Sequence, residues 1–150
     1  MKHPNPAIMN VLIDYTRKYA PKYGHATGAL IIKGERILAK AVTTVEKEKD
    51  PTAHAELKAI SNACRKIKNY HLTGCYIYTT QEPCPMCASA IVWSRLKGVV
   101  YGWEGRPKWG RLNIKPEKIF ATSPQKIWLR KRYMEKECLA LVQRSGDGKG

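Results

Sequence analysis

No apolar run in these 150 residues approaches the roughly 20 needed to span a bilayer; the longest, such as residues 29–32 and 99–101, stop after a few positions. No charged-then-apolar leader precedes them, so the chain reads as soluble and cytoplasmic, with no membrane span. Acidic residues are scarce: 12 Asp and Glu stand against 27 Lys and Arg, giving a formal charge of +15 and a pI near 9.8. Such an excess implies an acidic partner, nucleic acid first and an anionic membrane surface second; its plainer reading is a lysine-rich, solvated surface. Five cysteines cannot all pair, which excludes a complete disulfide framework. A Cys-x-x-Cys pair in a leaderless chain is more often metal-binding or redox-active, and points to a reducing compartment.

What is present suits one compact domain, since 43% hydrophobic residues can fill a single core. No internal repeat or linker divides it, so a single domain is expected over residues 1–143, with a glycine-rich, disordered tail at 144–150. Ile8, Leu12, Tyr15 and Tyr19 recur at helical spacing, which predicts an amphipathic helix over residues 6–19, ended by Pro21. Residues 28–33 and 36–44 are β-rich runs split by a Lys-Gly-Glu turn, a hairpin pattern. Asp50 as N-cap with Pro51 behind it predicts a helix over 51–67, with His54 and Glu56 in its first turn. A strand follows at 75–80, a helix opened by Pro83 and running to 95 with Cys84 in its first turn, and a strand at 99–103. Residues 105–124 read as a long loop with at most a short helix, 127–132 as a last strand and 133–143 as a last helix. This order argues for an α/β sheet, mostly parallel, whose first two strands form an antiparallel hairpin.

Two stretches carry the chemistry: Asp-Pro-Thr-Ala-His-Ala-Glu at 50–56 and Glu-Pro-Cys-Pro-Met-Cys at 82–87. Zinc favours thiolate and imidazole in tetrahedral geometry, and a catalytic site leaves the fourth position to water. His54, Cys84 and Cys87 supply three such ligands, and helix openings stabilise thiolates. In an α/β sheet both openings lie outside the carboxyl ends of the strands, where such folds place their sites. Residues two apart on a helix point about 200° apart. Glu56 and His54 therefore share a site only where the metal lies off the helix end, and there a carboxylate can move a proton between water and a leaving nitrogen. Read singly, the signals are blander. A Cys-x-x-Cys is also a structural zinc knuckle or redox pair, a lone histidine is usually a satisfied one, and a first-turn glutamate usually answers the helix dipole. A structural site needs a fourth protein ligand, and Cys64, Cys75, Cys138 and His71 show no second paired spacing.

His54-Ala55-Glu56 with Pro83-Cys84-Pro85-Met86-Cys87 matches the signature of zinc-dependent nucleobase deaminases. The chain resembles the cytidine deaminase superfamily over about residues 28–102, and within it the branch of bacterial tRNA adenosine deaminases and guanine deaminases. Residues 137–141 look like the C-terminal helix of the tRNA enzymes. The resemblance implies a three-layer α/β/α fold with a five-stranded mixed sheet, one zinc ion per chain held by His54, Cys84 and Cys87, and Glu56 as the catalytic proton shuttle. It places the Ala55 and Cys84 backbones and Pro83 beside the reacting base, and it implies a homodimer.

The chain departs from that pattern in three places. Thr43 stands where relatives of this branch carry a substrate-binding asparagine, and Ala26-Thr27 replaces their Pro-Val. After Gly102 a Gly/Ala/Ser-rich loop gives way to residues 103–111, in which Trp103, Arg106, Lys108 and Trp109 interleave rings and cations as a single-strand-binding surface does. The plainer reading of that loop is a buried tryptophan with solvated flanks. Arg130 and Arg132 extend a phosphate track, or merely blunt an edge strand with charge. The leading expectation is hydrolytic deamination of adenosine to inosine at the wobble position of tRNA. The alternatives are a deaminase of a free base or nucleoside such as guanine or cytosine, and a non-catalytic RNA-binding module with structural zinc.

Overall fold

A computed structural model describes residues 1–20, 26–105 and 114–145, with side chains to 142. The elements run α1 (Pro6–Tyr19), β1 (Gly28–Lys33), β2 (Arg36–Val42), α2 (Val45–Glu48), α3 (Ala55–Ile67) and β3 (Tyr76–Gln81). They continue with α4 (Pro85–Trp93), β4 (Gly98–Trp103), α5 (Pro116–Phe120), β5 (Trp128–Arg130) and α6 (Glu135–Ser145). Residues 146–150 of the expected tail lie outside the described residues.

The five strands form one sheet in the order β2-β1-β3-β4-β5. The β1–β2 hairpin is antiparallel as expected, and β3–β4 and β4–β5 are parallel. Yet β1 also pairs antiparallel with β3, so half of the pairings are antiparallel rather than few. The reason is topological: the hairpin tucks β1 inside the sheet, and the α3 crossover from β2 passes over it to reach β3. Strands β2, β3, β4 and β5 consequently run one way and β1 the other, and the carboxyl ends of β2 and β3 share an edge.

Strand alternation sorts the core into two layers. Ala29, Ile31, Ile77 and Val99 face α3, α4 and α5, packing with Ala59, Ala63, Ala88, Ile91 and Phe120. Leu30, Ile32, Tyr78 and Val100 face the other way, onto Met9, Leu12 and Ile13 of α1 and Cys138 and Leu141 of α6. The result is the three-layer α/β/α arrangement. Gly28 allows the close approach of α1, because a Cβ there would run into the Thr16 hydroxyl.

Several boundaries differ from expectation. In α1 the buried face is Ile8, Met9, Leu12, Ile13 and Thr16, while Tyr19 is exposed. The ladder of β2 stops at Val42 and the short α2 follows it. Helix α3 begins at Ala55 rather than residue 51, because the Asp50 carboxylate accepts the Thr52 N–H and hydroxyl in a local turn and does not cap a helix. Helix α4 begins at Pro85, with Cys84 as its cap rather than in its first turn. Strand β5 ends at Arg130, since Arg132 and Met134 adopt left-handed backbone (φ 54° each) before α6 starts.

Candidate metal centre and its surroundings

The two helix openings meet at the shared sheet edge. His54 is the N-cap of α3 and Cys84 the N-cap of α4; both have extended backbone, and neither side chain makes a capping hydrogen bond. Cys87 lies in the first turn of α4 and is buried. Because His54 stands outside the helical phase, its ring is free to turn toward the thiols. Its Nδ1 lies 3.7 Å from Cys84 Sγ and 3.5 Å from Cys87 Sγ. Tetrahedral zinc, with bonds of about 2.3 Å to sulfur and about 2.0–2.1 Å to imidazole nitrogen, separates those atoms by about 3.6 Å. The two nitrogen–sulfur distances therefore match those of a zinc centre. Among the described residues no fourth histidine, cysteine or carboxylate joins the three, whose ligating atoms lie within 4.8 Å of one another.

The electrostatics match that purpose. Cys84 is held down at about 4, first by the hydrogen bond from Cys87 and also by His54. The Cys87 thiol is pushed up by sharing that proton and by burial. The opposed shifts mean that the pair keeps one proton, which a bound cation would displace. His54 is raised, chiefly by its hydrogen bond to Cys84. Glu56, at the second position of α3, is 3% exposed, and its Oε1 has no hydrogen-bond partner among the described residues. Burial lifts its carboxyl to about 7, with the His54 charge opposing. A buried carboxylate with an unsatisfied oxygen beside three metal donors is poised to accept a proton from a bound molecule.

The other expected residues divide. Thr43 sits just past β2 and is 7% exposed; its Oγ1 accepts the Ala55 N–H at 3.1 Å. Ala55 and Pro83 are buried at the same edge. Thr27, in the replaced pair, donates its hydroxyl to Gln81 Oε1 at 2.8 Å. Trp103 is not an exposed stacking ring: it is half-buried against the α1–α6 layer and folds over Gly105, where a Cβ would strike it. Arg130 is exposed, its guanidinium 5.4 Å from the Tyr133 ring. Arg132 forms an ion pair with Glu104, and Lys131 with Glu117 at 3.1 Å, so two of the three cations of this run already have carboxylate partners. Arg106, Lys108 and Trp109 lie outside the described residues.

Sequence reasoning missed the polar bridge behind the centre. Lys115 Nζ reaches Glu82 at 3.1 Å and Glu104 at 2.6 Å, and the Tyr101 hydroxyl donates to Glu82 at 3.2 Å. The bridge ties the stretch after β4 to the residue directly before Pro83-Cys84. Glu82 and Lys115 are 33 residues apart, and no local pattern announces their contact.

Comparison with known proteins agrees with this geometry. The cytidine and deoxycytidylate deaminase zinc-binding region matches residues 4–103. The chain is 50% identical over 74 residues to a tRNA-specific adenosine deaminase of Aquifex aeolicus and 47% identical over 81 residues to a guanine deaminase of Bacillus subtilis. These matches cover 49% and 54% of this chain, which spans about half the length of those two relatives, 49% and 52%. A tRNA-specific adenosine deaminase of Buchnera aphidicola is 34% identical over 136 residues, covering 89% of this chain and 88% of its own length. A solved structure from a study of A-to-I editing by tRNA:A34 deaminases superposes with a TM-score of 0.80 at 27% identity, covering 91% of this chain and 99% of that one. With a three-ligand centre, an adjoining buried carboxylate and a match over two helix openings and the sheet between them, the chain belongs to the cytidine and deoxycytidylate deaminase family.

Proposed function

We propose that the protein is a zinc-dependent hydrolytic deaminase that converts adenosine to inosine in tRNA, at the wobble position. The observation that carries this reading is the juxtaposition of His54, Cys84 and Cys87 with the buried, unsatisfied Glu56. His54, Cys84 and Cys87 would hold the zinc, which would supply Lewis acidity and make water more acidic. Glu56 would accept a proton from the attacking water on Oε1 and return it to the leaving amino group, so that water replaces the amino group and ammonia departs. Burial raises the proton affinity of Glu56, which suits a group that must hold a proton between two transfers. The Ala55 and Cys84 backbones and Pro83 line the place of the flipped base.

The charge of +15 favours a polyanionic substrate over a free base. The tRNA-specific relatives, one of which spans nearly the whole chain, support the same choice. The guanine deaminase relative supports a second reading, deamination of free guanine by the same residues. The working form is a cytoplasmic homodimer of single-domain chains. No helix among the described residues is long and apolar enough to cross a membrane. Helix α4 carries no charge and leaves Trp93 82% exposed, a surface suited to a second copy. Purified zinc-loaded protein incubated with unmodified tRNA and, separately, with guanine decides between substrates. Inosine mapped to the wobble nucleotide is the expected result; ammonia from guanine with unchanged tRNA would overturn the tRNA reading.

A further inference from the structure

We infer that Thr43 is a positioning residue of the metal centre: by accepting the Ala55 N–H it anchors the backbone between His54 and Glu56 to the sheet edge and so fixes where both side chains project. The inference rests on the metal-dependent reading of the site. Every helix start leaves N–H groups without intrahelical partners; a cap side chain can serve the second or third of them, so the first must find its acceptor elsewhere. In α3 the cap residue is His54, and its imidazole is turned to Cys84 and Cys87. The Ala55 N–H lies in a fully buried residue, where an unpartnered donor is costly. Thr43 Oγ1 takes it at 3.1 Å, from twelve positions upstream.

Thr43 is well placed for that task. Its own N–H donates to the Thr27 carbonyl at 3.0 Å, and the Thr44 N–H donates to the Ala53 carbonyl at 3.0 Å. The start of α3 is thereby tied to the sheet edge on both sides of the threonine. A β-branched side chain has few χ1 choices, so the hydroxyl stays where the amide needs it. Helix α4 meets the same problem differently. Its cap residue, Cys84, is also turned to the metal centre, and the next residue is Pro85, which has no N–H to satisfy. Two helices with ligands as caps thus dispose of the first amide in two ways, by removing it in α4 and by assigning it to Thr43 in α3. Holding the 54–56 backbone also fixes the direction of Glu56.

The test compares Thr43→Val, nearly the same shape without the hydroxyl, with Thr43→Ser, which keeps it. Zinc affinity is read by competition with a chromophoric chelator, and folding by circular dichroism and thermal melting. Thr43→Val binds zinc about tenfold more weakly or worse, as loss of a ligand-orienting hydrogen bond does, and its kcat falls more than KM rises. Thr43→Ser stays within about threefold of wild type in affinity. A folded Thr43→Val with wild-type zinc affinity and only a changed KM or base preference would overturn the inference and leave Thr43 as a substrate contact. Should Thr43→Val not fold, amide hydrogen exchange in zinc-loaded wild-type protein decides: a protected Ala55 amide is expected, and exchange at the free-peptide rate refutes the bond. Absence of deamination on tRNA and on free bases, with the zinc and exchange results as expected, would reject the proposed function and keep the role of Thr43.

Discussion

Replacing Glu56 by glutamine keeps the shape of the side chain and removes its ability to carry a proton. The structure predicts two separate consequences. The first concerns turnover: the carboxylate is not among the three ligating residues, so Glu56→Gln should retain one zinc per chain. Loss of a positioned general acid–base typically slows a reaction by about 10²–10⁴-fold, and kcat should fall in that range. The second concerns stability. Burial lifts the Glu56 carboxyl from 4.5 to about 7 in the metal-free chain. A folded-state pKa above the unfolded value means that stability is fully present below pH 4.5 and is lost as pH rises through about 7. At about 1.4 kcal/mol per pKa unit, the loss by pH 8 is on the order of 3 kcal/mol, and Glu56→Gln lacks it. In chelator, the variant should therefore unfold at higher urea than wild type at pH 8 and at nearly equal urea at pH 4.5. Denaturation at the two pH values, zinc content by elemental analysis and steady-state deamination give all three readouts. A zinc-loaded Glu56→Gln protein turning over within a factor of about ten of wild type would remove Glu56 from the chemistry, and an unchanged pH slope of stability would refute the account of its burial.

Three further outcomes follow from the same geometry. Zinc must displace the proton shared by Cys84 and Cys87, so chelator competition should show affinity rising from pH 6 to pH 8, with proton release seen in weakly buffered solution; a pH-independent affinity contradicts the shared proton. Lys115→Met leaves the largely buried Glu82 and Glu104 carboxylates without their common cation and should cost about 1–3 kcal/mol in urea unfolding at pH 7. Glu104 is depressed to about 2, first by Lys115 and then by Arg132, so its stabilisation is present above pH 4.5 and fades as pH falls toward 2; a Lys115→Met penalty that grows on acidification would show the bridge is misread. Affinity for tRNA should fall steeply between low and moderate salt, and a flat response would mean the charge of +15 is not directed at phosphates.

Much of the fold was legible because it rests on local periods. Helix α1 falls where helical spacing placed it, and the hairpin of β1 and β2 follows from two β-rich runs around a Gly-containing turn. The structure decides most where a side chain had two competing uses. Asp50 looks like a cap for the following helix, but its carboxylate closes a turn on Thr52 instead. Trp103 sits in a sequence of rings and cations, yet it ends strand β4 and packs, half-buried, against the α1–α6 layer. Arg132 reads as part of a phosphate track or of a charged edge strand, and the fold brings Glu104 beside it from 28 residues away.

The identity of the metal donors was a property of the chain itself: imidazole, two thiols in a Cys-x-x-Cys and a carboxylate two residues after the histidine are chemical facts that survive any register. Tertiary structure decided how those groups are used. Only the order β2-β1-β3 brings the starts of α3 and α4 to one edge, because β2 and β3 run the same way on either side of an opposed β1. Only packing against the sheet buries Glu56 and leaves one of its oxygens unsatisfied. Only the meeting of the end of β2 with the start of α3 gives Thr43 the Ala55 amide. Local propensity acts over a few residues, whereas burial and partner choice are set by chain segments that are distant in sequence and become neighbours through the fold.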